Sequence, residues 1–171
     1  MDLHSAVLDD RERGVFRVKR AAMTREDVWA LERERIFDTC WLYIGHDSEI
    51  EAPGDFVRRR VAGRPLVLVR GQDGAVRALI NSCTHRGARV CRQDKGNAKS
   101  FQCFYHAWTF NTEGALVGIP DRDGYAPGVD PTQLGLRHVP RLDCYRDFWF
   151  VSFSAVGLRR RMSSAQRRTS A

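Results

Sequence analysis

A mainly β fold, a small antiparallel sandwich or barrel-like unit preceded by an N-terminal helix, is predicted by three observations. Short runs rich in Val, Leu and aromatic residues recur between residues 55 and 153. Glycine-bearing turns separate them at short intervals. A single stretch of helical period stands before them, and no internal repeat is present.

Residues 1–20 show no clear period and are expected to form an arm. A helical segment follows over residues 21–40. In "TREDVWALERERIF", Thr24 is a candidate N-cap, and Asp27 stands at the reciprocal capping-box position. Val28, Leu31, Ile36 and Phe37 can form one apolar stripe. A β domain is expected over 41–153. It opens with "WLYIGHDSEI", a strand and turn. "GDFVRRRVAGRPLVLVRGQDGAVRALINS" then reads as three strands punctuated by Gly63, Gly71 and Gly74. "HAWTFNTEGALV" carries a turn at Glu113-Gly114, and "GLRHVPRLDCYRDFWFVSF" reads as two strands around Arg146-Asp147. The strand pattern stops at Phe153. Residues 154–171 are rich in Ser, Arg and Ala, bury no period, and are expected to be a disordered or weakly helical basic tail.

With 171 residues the chain can bury one core of its own. No apolar run approaches the roughly 18 residues of a membrane span. The start, "MDLHSAVLDDRERG", is charged from its second residue and lacks an apolar signal core, which predicts a cytoplasmic protein. Five cysteines are an odd number for a disulfide framework, so metal ligation or burial is the expected use. The net charge of +7 would suit nucleic acid. However, five arginines lie in the tail with no acid, leaving 23 basic against 21 acidic residues elsewhere. A solvated surface with a basic tail accounts for this balance, and neither a nucleic-acid nor a membrane partner is expected.

The chemistry lies in "NSCTHRGARVCRQDKGNAKSFQCFYHAWTF". Cys83-x-His85 is followed, after 17 residues, by Cys103-x-x-His106. Strands reach each pair from both sides, so each sits at a strand-loop-strand tip, and two tips can present four ligands together. One Cys and one His per loop suit a diiron centre in which both thiolates bind one iron and both imidazoles the other, the Rieske arrangement. Two ferric ions, two sulfides and two thiolates sum to no net charge, so adding an electron is less opposed than in an all-cysteine cluster. Neutral imidazoles also leave a second ring nitrogen free. Gly87 permits a tight turn that lets main-chain N–H groups approach sulfide. Two Cys and two His could instead hold structural zinc, but zinc fingers pair Cys with Cys and His with His. Chance burial and a Cys/His nucleophile leave the doubled pair unexplained.

"CTHRGARVC…FQCFYHAWTF" resembles the Rieske domain of the ring-hydroxylating oxygenase large (α) subunits, bacterial non-haem iron enzymes that oxidise aromatic rings. The resemblance covers residues 15 to 153, including "WLYIGHDSEIEAPGDF" and "YHAWTFNTEGAL". It implies a [2Fe-2S] cluster on Cys83, His85, Cys103 and His106. It also implies electron donation by a reductase or ferredoxin, and delivery to a mononuclear Fe(II) in a catalytic domain or neighbouring α subunit, with a small β subunit as a further partner. Respiratory-chain relatives carry an additional disulfide-forming cysteine in each loop. The matching positions here are Ala88 and Tyr105, so no such clamp is expected. Cys91, Cys40 and Cys144 are read as buried small hydrophobes. Tyr105 and Trp108 are expected to shield the cluster, and Arg86 to hydrogen-bond a loop carbonyl, meet a partner acid or stay solvated.

The family's mononuclear iron is held by two His and a carboxylate. Outside the two pairs only His4, His46 and His138 remain, widely spaced. The reading is therefore a truncated or frameshifted α subunit whose Rieske domain shuttles electrons and hydroxylates nothing by itself. A stand-alone Rieske ferredoxin and a zinc-stabilised binding module are the alternatives. The helix over Thr24–Phe37 speaks against the ferredoxin.

Overall fold

The structure is a computed structural model that describes residues 6–125, 128 and 130–155. The tail expectation for residues 156–171 lies outside the described residues.

Within the expected arm lies a hairpin of β1 (Val7–Asp10) and β2 (Val15–Val18), paired Val7↔Val18 to Asp10↔Val15. Val7, Leu8, Phe16 and Val18 are all exposed. A two-stranded ribbon in contact with water on both faces needs no in-out alternation, which is why no period marked it. The helical segment is broken in two, α1 (Ala21–Thr24) and α2 (Glu26–Glu32), and continues as a π-helical turn over Arg33–Phe37. The cap expectation is corrected here. Arg25 occupies the N-cap of α2 in extended backbone with no side-chain cap. Thr24 already belongs to the preceding turn and donates its hydroxyl to the Arg20 carbonyl at 3.3 Å. Asp27, left without a Thr partner, accepts two hydrogen bonds from Arg25 at 2.8 and 2.7 Å. The expected stripe is only partly covered: Val28 is buried, Leu31 and Phe37 are half-buried, and Ile36 is exposed.

The β domain has three sheets. A central antiparallel sheet runs β6-β5-β4-β7, from β4 (Asp55–Val61), β5 (Arg64–Arg70), β6 (Val76–Ile80) and β7 (Lys95–Asn97). Ala62 and Gly63, both at positive φ, close the β4–β5 hairpin in the two-residue turn that matches strand twist. On one side lies the sheet β10-β9-β8, built from β8 (Ser100–Gln102), β9 (Thr109–Asn111) and β10 (Leu116–Gly118). On the other lies β11-β12-β3, from β3 (Leu42–His46), β11 (Arg141–Tyr145) and β12 (Phe148–Ser152). The mainly β, antiparallel class is as read from the pattern of short strands, with the central sheet covered on both faces.

That double covering follows from side-chain alternation. Along β5, Val67 and Val69 face one core while Leu66 and Leu68 face the other, all at most 2% exposed. The first core joins Phe56, Leu79, Phe101, Phe110 and Leu116 to Cys83, Cys91, Cys103 and Trp108. The second joins Ile44, Ile50, Val57 and Val151. The first core thus passes directly into the cysteine-bearing loops. Cys91 is buried as expected, whereas Cys40, in the bend before β3, and Cys144, on the edge strand β11, are only half-buried.

Candidate metal centre

Two loops leave the first core side by side: residues 81–94, between β6 and β7, and residues 103–108, between β8 and β9. Their backbones share one frame. The Cys83 N–H donates to the Ala88 carbonyl at 2.7 Å, and the Gly87 N–H donates to the Cys83 carbonyl at 2.8 Å. In the second loop the Cys103 N–H donates to the Trp108 carbonyl at 2.8 Å, and the Ala107 N–H donates to the Cys103 carbonyl at 2.9 Å. Gly87 and Ala107 both adopt positive φ, +74° and +55°, which lets each chain reverse over the turn it closes. In this frame the cysteines are equivalent, and the histidines stand two and three places beyond them.

Two pairs of side chains stand on these loops, one of cysteines and one of histidines. Cys83 and Cys103 are 3% and 2% exposed. Burial is the main reason that the Cys83 thiol is pushed above its ordinary pKa, and Cys103 is close enough to help raise it. The His85 and His106 rings lie edge to face with centroids 4.6 Å apart. Burial, with help from His106 and Arg86, pushes the His85 pKa down and favours the neutral imidazole that a metal needs. Among the described residues no three His, Cys, Asp or Glu side chains gather as they would for a single ion. The grouping is instead sulfur with sulfur and imidazole with imidazole. That donor set fits a binuclear centre taking two protein ligands at each metal.

One atom tests the fit. His85 Nδ1 is buried and has no hydrogen-bond partner in the protein. A buried ring nitrogen without a partner is costly unless something absent from the polypeptide satisfies it. A metal accepts the lone pair of neutral imidazole, so the residues present fit the group that the loops imply. His46 and His138 are engaged elsewhere. His46 caps the 3-10 turn Asp47–Glu49, and His138 Nε2 bonds the Glu113 carbonyl at 3.0 Å. His4 lies outside the described residues.

Several supporting residues escaped the reading of the sequence. Asn81, 1% exposed, accepts from the Val90 and Cys91 N–H groups at 3.0 and 2.8 Å and donates to the Cys91 carbonyl at 2.7 Å. It ties the first loop's return to its start. Thr84 donates its hydroxyl to the Leu134 carbonyl at 2.5 Å, and Trp108 Nε1 donates to the Tyr125 hydroxyl at 3.1 Å. Leu134 therefore helps to hold the first loop and Tyr125 the second. Trp108, buried at 3%, stacks on His85 at 4.7 Å and 11°. Tyr105 lies 3.9 Å from His106 but stays exposed at its outer side, beside an exposed Phe104 that Arg92 covers at 4.8 Å. Arg86 is exposed at the loop tip. All five cysteines are free, so the two loops carry no disulfide clamp.

A family profile described as the Rieske [2Fe-2S] domain matches residues 40–144. The N,N-dimethyl phenylurea N-demethylase subunit alpha of Sphingobium sp. (strain YBL2) is 38% identical over 133 residues, covering 77% of this chain and 29% of that protein. The anthranilate 1,2-dioxygenase large subunit of Burkholderia cepacia is 41% identical over 153 residues, covering 85% and 35%. The crystal structure of naphthalene 1,2-dioxygenase from Rhodococcus sp. bound to indole superposes with a TM-score of 0.77 at 36% identity, covering 82% of this chain and 32% of that one. The chain thus spans about a third of the length of these relatives. Both loops and the sheets that carry them fall within the matched region, and this chain belongs to the Rieske [2Fe-2S] domain family.

Proposed function

We propose that Cys83 and Cys103 hold one iron of a [2Fe-2S] cluster and that His85 and His106 hold the other. The pairing of thiol with thiol and imidazole with imidazole, together with an unpartnered His85 Nδ1, carries this reading. When bound, such a cluster takes up and releases one electron at a time. The polypeptide buries both thiols, keeps His85 neutral, and excludes water from one face of its ring with Trp108. His106 is half-buried beside the exposed Tyr105, which suits an electron passing between partners at the loop tips. The donor is a reductase or ferredoxin. The acceptor is the mononuclear iron of an oxygenase catalytic domain or neighbouring α subunit, with a small β subunit as a further partner. Free cysteines and the absence, among the described residues, of a helix long and apolar enough to cross a membrane support a cytoplasmic setting.

Anaerobic purification tests the assignment. Two irons and two acid-labile sulfides per chain, with a Rieske-type paramagnetic resonance signal on reduction, are the expected result. Colourless protein carrying one zinc would overturn it.

A further inference from the structure

The two histidines of the centre have unlike surroundings. His106 meets Tyr105, a residue of its own loop that is 55% exposed. His85 is held from outside its loop: Trp108 of the second loop lies almost parallel to the imidazole, and the Trp108 indole N–H is fixed by the Tyr125 hydroxyl. Tyr125, half-buried, also presents its ring to His85 at 6.3 Å and 70°. Core packing confines the indole, and a hydrogen bond at its edge adds the directional contact that packing alone lacks. Here the edge has a single polar atom, and Tyr125 accepts its hydrogen bond.

We propose that Tyr125 is a positioning residue for His85, acting through Trp108: its hydroxyl locks the indole plane, and the indole fixes the orientation and dryness of the imidazole. This rests on His85 being a cluster ligand. The functional consequence follows from charge. The oxidised centre is neutral and the reduced one is an anion, so water admitted beside the imidazole favours reduction. A locked, dry Trp108 keeps the potential low and the ligand geometry uniform.

The full chain, loaded with iron and sulfide under anaerobic conditions, provides the test. Tyr125→Phe keeps the ring and removes the acceptor. The expected result is full iron and sulfide content, broadened or shifted resonance lines, and a midpoint potential above that of the parent. Trp108→Phe removes the donor, so adding Tyr125→Phe to it should change neither signal further. This non-additivity is something a merely structural role would not produce. Asp130→Ala is the control. It removes only the cap on Thr132, without touching Trp108 or Tyr125, and should leave spectrum and potential in place. Unchanged lines and potential in a fully loaded Tyr125→Phe protein overturn the proposal, as do additive effects in the double variant. If Tyr125→Phe fails to load, Trp108→Phe alone decides: parental lines and potential overturn the proposal, and displaced ones support it. A parent protein that takes up no cluster overturns the ligand assignment, and this inference with it.

Discussion

Gly87 and Ala107 occupy the same place in two turns with one hydrogen-bond pattern: each closes its loop by donating its N–H to the carbonyl of a cysteine four residues earlier, and each does so at positive φ. The second loop therefore carries a strain that the first avoids, since a Cβ in the left-handed region costs about 1–2 kcal/mol. Ala107→Gly is expected to raise the unfolding free energy by roughly 0.5–1 kcal/mol, the relief of strain being partly offset by the freer unfolded chain. Gly87→Ala should cost about 1 kcal/mol and no more, because the nearest atom to the new Cβ is Ser82 Oγ at 3.8 Å. Urea midpoints of the three proteins decide. A large loss in Gly87→Ala would show that the first turn tolerates a Cβ less than its counterpart does.

Asn81 offers a sharper stability test. Its side chain satisfies three backbone groups of the first loop, all buried with it. Asn81→Ala leaves them without partners and is expected to cost about 3 kcal/mol, since a buried unsatisfied group costs roughly 1–3 kcal/mol and water can relieve some of the three. Iron content should fall as well, because Cys83 and His85 sit on the loop that Asn81 closes. Thermal denaturation together with iron analysis checks both. Unaltered stability would mean that the loop return is held by its hydrophobic contacts at Val90 and Cys91.

The sequence was legible at the strands and at the candidate ligands, and not at the residues that support them. The strands of the central sheet were readable because β5 fills two cores and so presents an unbroken apolar run bounded by glycine turns. The four candidate ligands were readable because cysteine and histidine at that spacing have few other uses. Asn81, Thr84 and Tyr125 were not. A polar side chain that satisfies buried backbone has the same letter as one that faces solvent, and the partner of Thr84 lies 50 residues along the chain. Thr24 failed for the opposite reason. Its letter suited a cap, but one more helical turn before it had already used the position.

Acid should weaken the turn between β5 and β6. Two hydrogen bonds from Arg77, at 2.7 and 2.6 Å, hold the Asp73 carboxyl at about 2, below its ordinary 3.8. A depressed carboxylate contributes stability that is fully present above the ordinary value and is lost as pH falls towards the folded one. The window is therefore pH 4 down to pH 2. Asp55, lowered by its hydrogen bonds from Asn97 and the Ala52 N–H, adds in the same direction. Asp73→Asn should flatten the urea midpoint against pH across that window while leaving the slope above pH 5 unchanged. Asp73 is at the surface, so the effect is small and shrinks with added salt. Equal slopes for the two proteins below pH 4 would assign the acid sensitivity elsewhere.

The ligand assignment makes its own set of predictions, each with a different sign. Cys83→Ser and Cys103→Ser replace a soft thiolate with a hard oxygen and are expected to abolish cluster assembly. His85→Cys retains a ligand but adds a negative charge, so a cluster that forms should have its potential lowered by on the order of 100 mV or more, the direction in which all-cysteine clusters lie. Cys91→Ala removes a buried thiol whose Sγ donates only to the Gln93 carbonyl, at 3.5 Å. It should leave the optical spectrum as it was and cost about 1 kcal/mol in packing. The contrast between Cys91 and its two neighbours in the same core carries the most weight. All three are buried cysteines of similar packing, so a loss of colour confined to the Cys83 and Cys103 variants reports ligation, whereas bleaching by Cys91→Ala would mean that the thiol pair has been assigned to the wrong residues.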